Sequence, residues 1–133
     1  MTFEGYEPKP RKPAIRRQVG MPCAYCGAPM TRSGKLRTTR DHVFPKHRGH
    51  RLGDLNGYNK AFVCEPCNIS KKGHDIIEWW WRLRSGKDRR APIVFSFIEN
   101  IWFAGHLPTG NGKHYDAIYA ALLNGQLTRE TNE

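Results

Sequence analysis

The chain has 133 residues, room for one domain with a few appended elements and little room for two independent cores. Lys and Arg number 22 against 12 Asp and Glu, giving a formal charge of +10 and a pI near 9.8. Such a surplus favours a polyanionic partner through phosphate neutralisation and counterion release, with a merely soluble basic protein as the alternative. An anionic membrane surface fits less well, because no strongly amphipathic basic helix stands at the N-terminus.

Residues 1–20 read as an extended basic arm. Pro8, Pro10 and Pro13 oppose helix formation, while Lys9, Arg11, Lys12, Arg16 and Arg17 supply charge. Such an arm lies along a phosphate backbone or stands free as a solvated tail. The segment also holds Glu4 and Glu7 and no continuous apolar run, so it does not read as a secretory signal. Farther on, Ala91 to Ala104 is the longest apolar-rich stretch. Ser96, Glu99 and Asn100 interrupt it, and it is too short to span a bilayer. The expected location is therefore a reducing cytoplasm, where cysteines are explained by metal more readily than by disulfides.

Residues 21–86 form the dense middle of the chain, rich in Cys, His, Asn and Gly. Two β-prone segments, Lys35 to Phe44 and Lys60 to Val63, flank a polar, glycine-bearing loop from Pro45 to Tyr58. A helix is predicted from near Cys67 to about Arg84, with a break at Gly73. Asp75 serves as N-cap of its second part, and Glu78, three residues on, completes a capping box. Residues 87–126 read as a helical extension. Ile93, Val94, Phe97, Ile98, Ile101 and Trp102 make one apolar face, ended by Gly105 and Pro108. Tyr115, Ile118, Tyr119 and Leu122 repeat at helical spacing up to Gly125, and residues 127–133 form a polar tail. The three consecutive residues Trp79, Trp80 and Trp81 splay around a helix, so at least two are expected to pack against these C-terminal helices rather than stack on bases.

All four cysteines fall in two C-x-x-C knuckles, Cys23/Cys26 and Cys64/Cys67. Two intervening residues let both sulfurs of a knuckle turn to one point, and two knuckles complete the tetrahedral thiolate shell that zinc prefers. Gly27 follows the first, where the turn needs a residue tolerant of positive φ. A redox dithiol is the rival reading, and nothing like a thioredoxin strand and helix surrounds either pair. Residues 27 through 63, thirty-seven of them, separate the knuckles, well beyond a simple zinc ribbon. The expected zinc is thus a structural clamp on an insert with its own structure. Four sulfur ligands leave it no open position for catalysis.

Inside that insert stands Asp41-His42-Val43-Phe44-Pro45. Asn59 lies five residues before the second knuckle, and Asn68 directly follows it. This arrangement resembles the HNH (ββα-metal) nucleases, in an H-N-N variant, over residues 21–75. The resemblance implies an α+β fold with a ββα-metal core beside the four-cysteine zinc site, and hydrolysis of DNA phosphodiesters with a divalent cation.

The chemistry of the residues agrees. Phosphodiester hydrolysis needs a base for water and a cation for the charge on phosphate and leaving oxygen. An imidazole can take a proton from water near neutrality, which makes His42 the candidate base. Asp41 offers a hard oxygen, although neighbours on a strand point to opposite faces, so a strand end or twist must bring the two together. Asn68 takes a place often held by histidine, and its amide oxygen is the candidate second ligand. A helix cap is its plainer role. An oxygen donor there turns the preference from zinc towards Mg²⁺ or Mn²⁺.

By the same resemblance Asn59 ties down the loop that holds the base, with Asn56 the rival if the register slips. Lys71, Arg40 and His50 are candidate nucleic-acid contacts. His47 is ambiguous, and His74 is expected on the solvated surface. The resemblance further implies a bacterial or phage-infected host cell, since small members of this family are often phage-encoded. Two other classes stand beside this one: a non-catalytic zinc-binding nucleic-acid module, and an assembly protein that docks a partner or a second copy through its C-terminal helices.

Overall fold

The computed structural model describes residues 13–45 and 57–132, with side chains described for 14–45 and 57–125. The elements are α1 (Pro13–Arg16), β1 (Thr38–His42), β2 (Lys60–Cys64), α2 (Glu65–Lys71), α3 (Ile76–Ser85), α4 (Ala91–Phe103) and α5 (Lys113–Asn132). The two strands pair antiparallel, with Thr38 opposite Cys64 and His42 opposite Lys60. This is a small α+β architecture.

The first strand is shorter than its β-prone segment. Gly34, at φ +86°, sits in a turn in which Arg37 N–H bonds Gly34 C=O at 3.2 Å, so extended pairing starts only at Thr38. Beyond His42 a single backbone bond continues the ladder, from Val43 N–H to Asn59 C=O at 3.2 Å. Alternation decides what each strand residue faces. Thr39 and Asp41 share one face with Val63 and Ala61 and are buried, while His42 and Lys60 end the sheet exposed on the other.

Strand β2 runs directly into α2. Cys64 ends the strand and caps the helix, and Pro66 occupies the first turn, where its fixed φ fits and its missing N–H is not needed. The helix therefore starts two residues earlier than Cys67. The break expected at Gly73 is present, since α2 stops at Lys71 and α3 begins at Ile76. Asp75 caps α3 as the capping pattern requires, its carboxylate accepting from Glu78 N–H at 2.8 Å.

Three helices build most of the core. Ile76, Ile77, Trp79, Trp80 and Leu83 of α3 are buried against α4 and α5, which contribute Val94, Ile98 and Ile101, and Tyr115, Ile118 and Leu122. Trp79 and Trp80 are thus core residues, and Trp81 is half-buried. One contiguous buried cluster joins them to Cys23, Tyr25, Val43 and Phe44.

Two expectations at the ends of the chain are corrected. Pro13 does not block helix formation, because it opens α1, the position a helix accepts. Residues 1–12 of the expected arm lie outside the described residues. Gly125 does not end α5, which continues to Asn132, so residues 127–132 are helical rather than a tail. An interior glycine weakens a helix by about 1 kcal/mol without terminating it. No helix among the described residues is long and apolar enough to cross a membrane.

Asp75 holds two elements at once, since its other oxygen accepts from the buried Tyr115 hydroxyl at 3.2 Å. Burial, with the Asp75 carboxylate beside it, pushes the Tyr115 hydroxyl well above the usual tyrosine range, so it stays a donor. Asp75→Ala should lose the cap and leave a buried hydroxyl unpaired, about 2–3 kcal/mol together. Urea unfolding checks this, and a loss under about 0.5 kcal/mol would contradict the dual role.

Candidate metal centre and cleft

The first knuckle folds as a tight turn. Gly27 N–H bonds Cys23 C=O at 2.9 Å, Cys23 N–H bonds Ala28 C=O at 2.8 Å, and Gly27 adopts φ +78°, where a side chain would be strained. The second straddles the end of β2 and the first turn of α2. The fold brings all four cysteines together, with their Sγ atoms within 4.8 Å of one another. Cys26 and Cys64 sulfurs stand 3.7 Å apart. A tetrahedral ion bound at about 2.3 Å from each sulfur would set such edges at about 3.8 Å, so the cluster fits a metal without rearrangement.

Protons in this quartet are unevenly shared. A hydrogen bond from Cys67, helped by the Cys64 and Tyr25 backbone N–H groups, pulls the Cys23 thiol down to about 4. Burial pushes Cys64 up to about 11, and the bond to Cys23 together with burial holds Cys67 firmly protonated. One thiolate is tolerated, and further ones repel it in a dry site unless a cation joins them. Arg90 supplies part of that compensation from outside the quartet. Its guanidinium donates to Cys67 Sγ at 3.7 Å and to Ser70 Oγ at 3.3 Å, pairs with Asp88 at 2.9 Å, and lies 5.2 Å over the Trp79 ring.

The second knuckle also aims α2. Cys67, Asn68 and Lys71 lie at i, i+1 and i+4, so the turn that buries Cys67 directs Asn68 and Lys71 at β1 and leaves Ile69 63% exposed. Lys71 is completely buried. Its ammonium lies 3.0 Å from Asp41 Oδ2 and donates to the His42 carbonyl at 2.9 Å. Burial lowers its pKa below that of an ordinary lysine, opposed by the Asp41 charge. Its expected contact with nucleic acid is therefore corrected: the amine is spent inside the protein. The signal was its i+4 spacing from a buried cysteine.

Asp41 is buried on the inner face of β1, and its Oδ2 also accepts from the Tyr25 hydroxyl at 2.7 Å. Burial, then the Asp41 charge, raises the Tyr25 pKa well above the usual value, so it remains a donor. Tyr25 had no signal in the sequence beyond standing inside a knuckle, 16 residues from the carboxylate it holds.

Asn68 is oriented through Thr39. The Thr39 hydroxyl donates its one proton to Val63 C=O at 2.8 Å, so it can only accept from Asn68 Nδ2, which it does at 3.0 Å. The amide oxygen is thereby turned away from Thr39. Asn59 buttresses the chain after His42, its Oδ1 accepting from Phe44 N–H at 2.7 Å and its Nδ2 donating to Phe44 C=O at 3.4 Å.

Arg40, Asp41, His42, Asn68, Lys72 and Gly73 line one open cleft of about 460 Å³ at the end of the sheet. His42 is exposed there, and its ring accepts and donates no hydrogen bond among the described residues. Asp41 and Asn68 each have one side-chain oxygen with no hydrogen-bond partner among the described residues. Arg40 is half-buried and, like Lys72, forms no ion pair among the described residues. Lys72 has φ +53° and ψ −138°, a conformation that costs a non-glycine residue on the order of 1–3 kcal/mol. His47, His50 and Asn56 lie outside the described residues. His74 is only half-buried and pairs with Glu78 at 3.3 Å.

No protein-family model, curated protein or solved structure matches this chain.

Removing the Lys71 amine strands a buried carboxylate. Lys71→Met should cost roughly 3–5 kcal/mol in urea unfolding, and adding Asp41→Asn should recover part of that loss. A single mutant as stable as the parent would show that the pair does not hold the cleft.

Proposed function

We propose that the protein is an HNH-type endonuclease, with a ββα-metal core, that hydrolyses DNA phosphodiester bonds with a divalent cation. The observation that carries this reading is the shared cleft: a base candidate, two hard-oxygen donors and an arginine with no ion pair among the described residues line the open end of β1. His42 takes a proton from water as the water oxygen bonds to phosphorus. The ester P–O bond then breaks, and the departing oxygen leaves as an alkoxide to be protonated by solvent. Asp41 and Asn68 would hold Mg²⁺ or Mn²⁺, which supplies charge stabilisation to the phosphate and the leaving oxygen.

The chain's own residues set the geometry. Lys71 fixes the His42 backbone through its carbonyl, and Asn59 fixes Phe44 two residues on, so the imidazole is presented from a backbone tied at both ends. Tyr25 and Lys71 occupy one Asp41 oxygen and leave the other for a cation. Arg40 neutralises phosphate charge beside the base. In this reading the four cysteines hold structural zinc, and DNA is engaged through its backbone rather than its base edges.

Purified protein should nick plasmid DNA with Mg²⁺ or Mn²⁺, and His42→Ala should lower the rate by about 10²-fold or more. Equal nicking by the mutant, or binding without nicking by either, would sink the catalytic reading. Metal analysis tests the clamp separately. One equivalent of zinc should copurify, and Cys64→Ser should lose it together with several degrees of Tm. Full, tight zinc in that mutant would contradict the four-sulfur site.

A further inference from the structure

We propose that Lys72 is the side chain that grips a DNA phosphate in the cleft, a role resting on the nuclease reading above. Four observations converge on it. Lys72 is exposed and lines the cleft beside Arg40, His42 and Asn68. Its ammonium has no ion-pair partner among the described residues, whereas the amine of its neighbour Lys71 is consumed by Asp41 and the His42 carbonyl. Among the described residues lining the cleft the only carboxylate is Asp41, already matched by Lys71, so the charge of Arg40 and Lys72 there is unopposed.

The backbone supplies the fourth. Lys72 is the first central residue of a turn closed by His74 N–H on Lys71 C=O at 3.2 Å. Its φ of +53° and ψ of −138° are those of a II′ turn, whose first central position belongs to glycine. A glycine does stand in this turn, at Gly73, one residue too late to relieve the strain. Lys87, the other non-glycine residue at positive φ among the described residues, is not part of this cleft. The turn therefore carries a lysine at the position where glycine would fold more easily, and that lysine borders the candidate base. Strain of this kind gathers at ligand clamps, where a side chain is wanted at a point the backbone resists.

The inference separates stability from binding in opposite directions. Lys72→Gly should raise Tm by several degrees, because it removes the strain and nothing else among the described residues uses the ammonium. In a His42→Ala background, where DNA is not consumed, the same change should weaken duplex binding about 5- to 10-fold at moderate salt. It should also reduce the slope of log K against log salt by about 1, the signature of one lost phosphate contact. Lys72→Arg, which keeps charge and strain, should restore most of the affinity and the slope while leaving Tm near the parent value.

Two failures are distinguishable. Should the parent nick DNA and His42→Ala not, while Lys72→Gly leaves affinity and slope unchanged, the role of Lys72 falls and the nuclease reading stands. If the parent neither binds nor nicks duplex DNA, both fall together. A Lys72→Gly protein that binds more weakly but is also destabilised, with a slope unchanged from the parent, would mark Lys72 as a structural residue and overturn the inference.

Discussion

The buried carboxylate of Asp41 is the point on which the arrangement turns. A charge in a dry site is tolerated only with partners in place, and here each comes from a different element. Tyr25 arrives from the first cysteine knuckle and Lys71 from the last turn of α2, while Asp41 itself sits on β1. Satisfying one carboxylate thus fixes the relative position of knuckle, strand and helix. Lys71 adds a third tie by donating to the next residue's carbonyl, so the backbone of His42 is held by the same ammonium. The pair contributes more through register than through net stability, since an apolar pair of similar volume could be equally stable and would leave no acidic oxygen at the cleft.

The sulfur quartet acts one step further out. It closes the excursion from Cys26 to Cys64, and by ending β2 and starting α2 it aims the helix face that carries Asn68 and Lys71. Arg90 extends that influence to the C-terminal helices. The residue stands immediately before α4, touches Cys67 and Ser70, and stacks on Trp79 of α3. Tyr25 meets the same Trp79 with ring centroids 5.1 Å apart, and Phe97 of α4 at 5.5 Å. The helical extension and the cysteine quartet therefore share one aromatic contact zone. A change in the packing of α4 would be felt at the cysteines.

How much of this could be read from the chain depended on whether the signal was local. The knuckles, the Asp75 cap and the apolar faces of α4 and α5 are patterns within a few residues, and each formed where its pattern lay. The strand Thr38–His42 occupies only the end of its β-prone segment, because a local turn closed by Arg37 N–H on Gly34 C=O precedes it. Pro13 and Gly125 behave otherwise than helix breakers for one reason: proline is welcome at a helix start, and glycine only weakens a helix interior. Lys71 was legible in principle from its spacing to Cys67, but a lysine is exposed so often that composition outweighed geometry. Tyr25 and Thr39 were beyond reach. Their roles exist only once partners 16 or 29 positions away along the chain have folded back to them.

Asp41 and His42 stand together at the end of β1. Neighbours on a strand point to opposite faces, as Asp41 and His42 do here. His42 is the last residue of β1, and beyond it Val43 and Phe44 turn inward to join the core, with Asn59 holding Phe44 by two hydrogen bonds. The sheet stops where the chain must bury two apolar side chains, and that stop opens the cleft on which both faces border. The inner face contributes a fixed, buried oxygen, and the outer face an exposed ring free to meet solvent. At that end two adjacent residues of opposite character, one buried and one exposed, line the same cleft.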